Sequence, residues 1–116
     1  MGAEYDDSRE AMVAAPHHHS VLLENENVRV LDTRVGPGER TPVHAHAWPA
    51  ALYVMSWSDF LRRDEAGSIM VDSRGWDHTP TVGEALWLPP LPAHSIENIG
   101  NAELRLIAVE LKQSTR

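Results

Sequence analysis

Two histidines one residue apart, His44 and His46, are the residues of this chain whose type and spacing most readily do chemistry. On a β-strand, side chains two apart leave the same face, so both imidazoles can converge on one point. Imidazole is a borderline ligand suited to iron, nickel, copper and zinc, and catalytic sites for such ions use three protein ligands with a position left open. His94 is the natural third ligand, because it follows the rigid run Pro89-Pro90-Leu91-Pro92 and begins another strand-like segment. The chain has no cysteine, which excludes disulfides, thiolate sites, iron–sulfur clusters and cysteine nucleophiles. Any metal must therefore sit on nitrogen or oxygen ligands. The expected cofactor is one divalent transition metal ion, iron, nickel, manganese or zinc, on His44, His46 and His94.

The elements that must position these rings are strands. Short segments rich in Val, Ile, Leu and Trp alternate with turn residues, and no window sustains a helical apolar stripe over three turns. Strands are expected over 20–24, 28–35, 43–47, 51–57, 59–62, 68–72, 85–88, 94–99 and 103–111, separated by turn chemistry such as Gly36-Pro37-Gly38 and Gly100-Asn101. Leu104, Leu106 and Ala108 share one face of the last of them. Strands of this length and spacing suggest a sandwich or jelly roll. A length of 116 residues suits one domain and one pocket, here assigned to 16–116, with 1–15 as a flexible N-terminal arm.

At these residues the chain resembles the cupin superfamily. Its first motif, Gly-x5-His-x-His-x3,4-Glu-x6-Gly, is matched in its front half by Gly38, His44 and His46. Its second, Gly-x5-Pro-x-Gly-x2-His-x3-Asn, is matched by Gly83, Pro89, His94 and Asn98. The resemblance runs from residue 28 to 111 and implies an all-β double-stranded β-helix, a jelly-roll barrel, with the three histidines as metal ligands and a homodimer as the assembly. The departures are specific. The motif's glutamate falls at Ala50 or Ala51, its closing glycine at Trp57 or Ser58, and the middle glycine of the second motif at Leu91. The corresponding turns must be built differently or carry backbone strain.

Three neutral imidazoles leave a divalent ion its full double positive charge, which a ligating carboxylate would halve. An anionic small molecule is therefore the expected partner. The resemblance makes three-histidine dioxygenase chemistry on thiols or diketones a candidate activity. The alternatives are a non-catalytic binding or sensing module, metal-dependent isomerase or lyase chemistry, and a barrel that keeps its histidines as hydrogen-bonded pocket residues without an ion. No side-chain general base is expected beside the histidines, so an ion would have to supply activation.

The remaining features are read more plainly. His17, His18 and His19 are expected at the surface, entering the first strand, with a role over the pocket as the alternative. His78 is expected in solvent. Glu97 falls on the face opposite His94, and Asn98 on the same face as a hydrogen-bonding support. Trp48, Trp57, Trp76 and Trp87 are expected to fill core or interface, Trp87 foremost, with the lining of a pocket for an apolar ligand as the alternative. Leu52 and Val54 give the pocket an apolar floor. Arg62-Arg63, followed at once by Asp64-Glu65, reads as a solvated turn. Ten basic against seventeen acidic residues, a formal charge of -7, argues against nucleic acid or an anionic membrane surface as partner. The longest apolar runs fall far short of the roughly 18 residues a membrane span needs. An acidic start without a signal peptide's basic and apolar regions makes the cytoplasm the expected location.

Overall fold

In a computed structural model describing residues 9–112, the alternating segments form strands in the expected order. These are β1 (His19–Glu24), β2 (Val28–Val35), β3 (His44–His46), β4 (Ala50–Ser56), β5 (Phe60–Asp64), β6 (Ile69–Asp72), β7 (Ala85–Leu88), β8 (Leu91–Asn98) and β9 (Leu104–Leu111). They pair antiparallel into two sheets, β1-β2-β9-β4-β7 and β3-β8-β5-β6. Two such sheets closing on one apolar interior make the jelly roll expected from the sequence. Leu31, Ala50 and Ala108 are buried together, with Met12 and Leu52 packed against them, so β2, β4 and β9 contribute alternate residues to one core.

The largest boundary difference is β8, which starts at Leu91 rather than His94 and runs through Pro92. Proline has no N–H for the ladder, and strands accept it at a bulge or edge. Here the pairing with β3 slips between His44↔His94 and His46↔Leu91. That slip turns Leu91 and His94, three residues apart, both toward the interior cavity, which strict alternation forbids. The motif glycines Gly38 and Gly83 hold φ of 77° and 93°, and no other residue type has a positive φ among the described residues. The turns lacking family glycines are thus built without left-handed strain.

Residues 1–8 of the expected N-terminal arm, like 113–116, lie outside the described residues. Residues 9–15 pack onto the barrel. The one-turn helix α1 (Ala11–Ala14) is capped by the Glu10 side chain, which accepts from the Met12 amide. Ala11 and Ala15 are fully buried, and Glu10 bridges Ala45, between the two histidines of β3.

Asn98 was expected to support the histidines, but it braces the backbone instead. Its Nδ2 donates to the carbonyls of Val35 and Ala102, and its Oδ1 accepts from Ser58 Oγ and the Gly100 amide. Every donor and acceptor of a buried amide is thereby used. Truncation would strand several buried partners at once. Asn98→Ala should cost about 3 kcal/mol in urea unfolding, and a loss within 0.5 kcal/mol of zero would remove Asn98 as the brace of these loops.

Candidate metal centre

Antiparallel pairing sets His44 directly opposite His94, and their ring centroids are 4.4 Å apart. His46 joins them at 5.1 Å from His44 and 5.5 Å from His94. The three histidines named from spacing therefore meet in space. A fourth ring completes the group: His19, 3 % exposed at the start of β1, lies 5.0 Å from His44 and 5.6 Å from His46. One ring nitrogen from each of His19, His44 and His46 lies within 4.8 Å of the others. His94, named as the third ligand from the sequence, is not part of that converging set of nitrogens; it adjoins the cluster through its ring contacts with His44 and His46. His19 thus belongs to the cluster and not to the surface, while His17 is exposed and His18 bonds the Arg34 carbonyl. The cross-strand partner of His19 is Thr33, on the inward face of β2, and this register turns the ring inside.

Each ring is held by the same device. His19 Nδ1 lies 2.9 Å from the Ala15 carbonyl, His44 Nδ1 2.9 Å from that of Pro42, and His94 Nδ1 2.8 Å from that of Pro92. His46 Nδ1 lies 3.2 Å from Glu110 Oε2. Carbonyl and carboxylate oxygens only accept, so in each pair Nδ1 carries the proton and donates it. The nitrogen left over in all four rings is Nε2 with its lone pair, the form that ligates a metal. The donor set therefore fits a divalent transition ion.

Burial keeps His19, His44 and His94 neutral. It pushes His19 and His94 down to about 4, and burial with the neighbouring His94 pushes His44 down to about 2. The rings open onto a cavity of about 110 Å³ whose remaining walls are largely apolar, with Ala50, Leu52, Leu91, Ile96, Leu106 and Ala108 among them. Ala50 and Leu52 supply the apolar floor expected of them, while Val54 is fully buried farther along β4.

No family model and no curated protein matches the sequence. Solved structures do. A cupin domain from Bordetella pertussis is similar at 25 % identity and a TM-score of 0.66, over 82 % of this chain and 92 % of that one. The domain has the cupin fold. An uncharacterised Klebsiella pneumoniae protein with a double-stranded β-helix domain aligns at 19 % identity and 0.55, over 80 % and 70 %. A polyketide cyclase from Streptomyces resistomycificus aligns at 19 % and 0.53, over 82 % and 64 %.

In this fold the absent motif glutamate has a counterpart one strand away. Ala50 pairs across the sheet with Glu110 of β9, and Glu110, 1 % exposed, lines the histidine cavity. Burial alone would raise its pKa, but hydrogen bonds from His46 and Arg29 hold it below the ordinary carboxylate value. Arg29 Nε donates to Glu110 Oε1 at 2.6 Å, and its other nitrogens reach Glu10. Arg29 also lies over the Trp48 ring, 5.0 Å from its centroid. The expectation of no side-chain general base beside the histidines overlooked this carboxylate, whose two oxygens are engaged by Arg29 and His46. Its signal was in the sequence: Glu110 continues the Leu104, Leu106, Ala108 parity onto the inward face.

Other placements follow parity too. Glu97 faces away and pairs with Arg63, and His78 is exposed with Glu84 as partner. Arg62, read as part of a solvated turn, instead lines the cavity on the Phe60 face of β5. Trp87 is 61 % exposed and so lies outside the core of this chain.

The neutral rings set a pH dependence. An unfolded histidine takes up a proton near 6.5, whereas His19 and His94 resist until about 4 and His44 until about 2. Above 6.5 both states are neutral and nothing is contributed. As pH falls below 6.5 the unfolded state is protonated first, so stability declines progressively toward pH 4. At pH 5 the loss should be roughly 2 kcal/mol for each of the three histidines in metal-free protein. Urea midpoints at pH 7.5, 6 and 5 read it, and a flat profile would mean that the rings are not buried in the neutral form.

Proposed function

We propose that the protein binds one divalent transition metal ion at the histidine cluster and acts with it on a small anionic molecule. The observation that carries the reading is the common tether: every ring in the cluster has Nδ1 committed to an oxygen, which leaves only Nε2 lone pairs. His44, His46 and His94 are the ligands by the resemblance, and His19 is a further candidate, since its ring nitrogen converges with those of His44 and His46. When bound, the ion supplies Lewis acidity and open coordination positions. The chain's own residues do the rest. Glu110 fixes the orientation and tautomer of His46 and makes it more electron-rich. The apolar walls exclude water, so the charge of an anionic ligand is screened little there. Oxygen-dependent dioxygenation is the reaction class that the resemblance favours, and neutral histidines would leave the ion's charge for an anionic substrate.

Purified protein should hold iron, nickel, manganese or zinc near one per chain by elemental analysis, and His46→Ala should empty it. Full occupancy in that variant would show the ligand assignment to be wrong. Glu110→Gln, which keeps shape and removes the charge, should weaken metal affinity by roughly ten- to a hundredfold in chelator competition. Oxygen uptake by the iron-loaded protein over thiols, diketones and aromatic acids then decides the reaction class. Turnover without oxygen uptake would replace dioxygenation by isomerase or lyase chemistry, and tight binding without turnover would make the protein a sensing module.

A further inference from the structure

Beyond the histidines the interior continues into a second and larger cavity, of about 370 Å³, which shares Leu52, Phe60, Arg62, Leu88, Leu91 and Leu106 with the first. Its walls are aromatic. Trp57, Phe60 and Trp76 form a trio with ring centroids 5.6–5.8 Å apart, and Trp87 stands at the rim, 61 % exposed.

One charge lies in this apolar space. Arg62 lines both cavities, opposite Ile96 of β8, and has no hydrogen-bond or ion-pair partner among the described residues. That is unusual in a chain with seventeen acidic and ten basic residues. Arg9, Arg29, Arg34, Arg63, Arg74 and Arg105 all form ion pairs. Arg40, the other described arginine without one, is exposed to water. A half-buried guanidinium between apolar walls loses hydration that no protein acceptor replaces, and it presents a planar fork shaped for a carboxylate. A second donor waits nearby: the Trp57 Nε1–H is buried with no acceptor. Two unmet donors, one cationic, amid aromatic faces describe what is missing from the chamber. The complement is an anionic acceptor attached to a flat apolar body.

We propose that this chamber binds an aromatic carboxylic acid, with its carboxylate on Arg62 and its ring system among Trp57, Phe60, Trp76 and Trp87. The proposal deepens the reading of the site as one for a small anion, and it rests on that reading for the site's role. It does not require the metal. Because the two cavities share a wall that includes Arg62, an acid seated there lies beside the histidine cluster.

The test uses full-length, metal-stripped protein and calorimetric or tryptophan-quenching titration with 2-naphthoate, 2-naphthamide and octanoate. The expected result is that 2-naphthoate binds roughly ten- to a hundredfold more tightly than the neutral amide, the ratio of a charge-assisted contact to its neutral counterpart. Octanoate, with the charge and without the rings, should be the weaker acid. Arg62→Met, close in length and able to pack, should bring the acid and amide to equal affinity while still taking up one metal ion per chain. Equal binding of acid and amide by the wild-type protein, no binding of either, or octanoate as tight as naphthoate each overturns the proposal without reference to any variant. Naphthoate selectivity in a protein that takes up no metal would sink the metal reading and leave this one standing.

Discussion

The interior of this barrel depends on the protons held at four Nδ1 atoms. An imidazole removed from water must keep its N–H bonded or lose the worth of that bond, and a charged ring would cost far more. Each ring keeps its N–H bonded by donating to a fixed oxygen, which sets its orientation, and burial holds His19, His44 and His94 neutral. Two of the four oxygens arise from one local pattern, Pro-x-His, at Pro42-Val43-His44 and Pro92-Ala93-His94. Proline's fixed φ holds its carbonyl, and the histidine two residues on reaches back to it. Pairing His44 opposite His94 then places the two patterns side by side on neighbouring strands.

Much of this was legible in the chain, because β-structure translates parity into direction. The His-x-His spacing, the strands 28–35 and 85–88, the outward Glu97 and the apolar floor at Ala50 and Leu52 all follow from counting by two. What escaped was of two kinds. Glu110 obeys the same count and needed only the alternation of β9 to be carried one step farther. Arg62 does so on β5, where a neighbouring run of charges suggested solvent instead. His19 is different, because its direction depends on pairing with Thr33 and on a carbonyl from the preceding turn, neither of which one segment discloses. The β8 bulge is also non-local: the Pro-rich run reads as a turn until β3 is there to pair with it.

The two interior arginines show how one side chain takes opposite roles through its neighbours. Arg29 lies between Glu110 and Glu10, and despite burial those bonds raise its pKa, so its charge is spent within the protein. Arg62 has no such neighbour, and burial alone lowers its pKa. The first holds the scaffold together; the field of the second is left pointing into the cavity. Along the barrel this separates an end where carboxylates and histidines are mutually satisfied from an end where aromatic faces and unmet donors remain.

The packing of residues 10–15 ties the chain's beginning to its chemical end. Ala15 holds the proton of His19, and Glu10 grips Arg29, which grips Glu110, which holds His46. The His19 ring is therefore held by a contact with this short segment, and the Arg29–Glu110–His46 chain, which spans β2, β9 and β3, is buttressed by it at Glu10. If an ion on the rings favours the seated segment, the seated segment would favour the ion by the same factor, since thermodynamic linkage is reciprocal. A stretch of six residues outside the strands thereby braces one side of the histidine cluster.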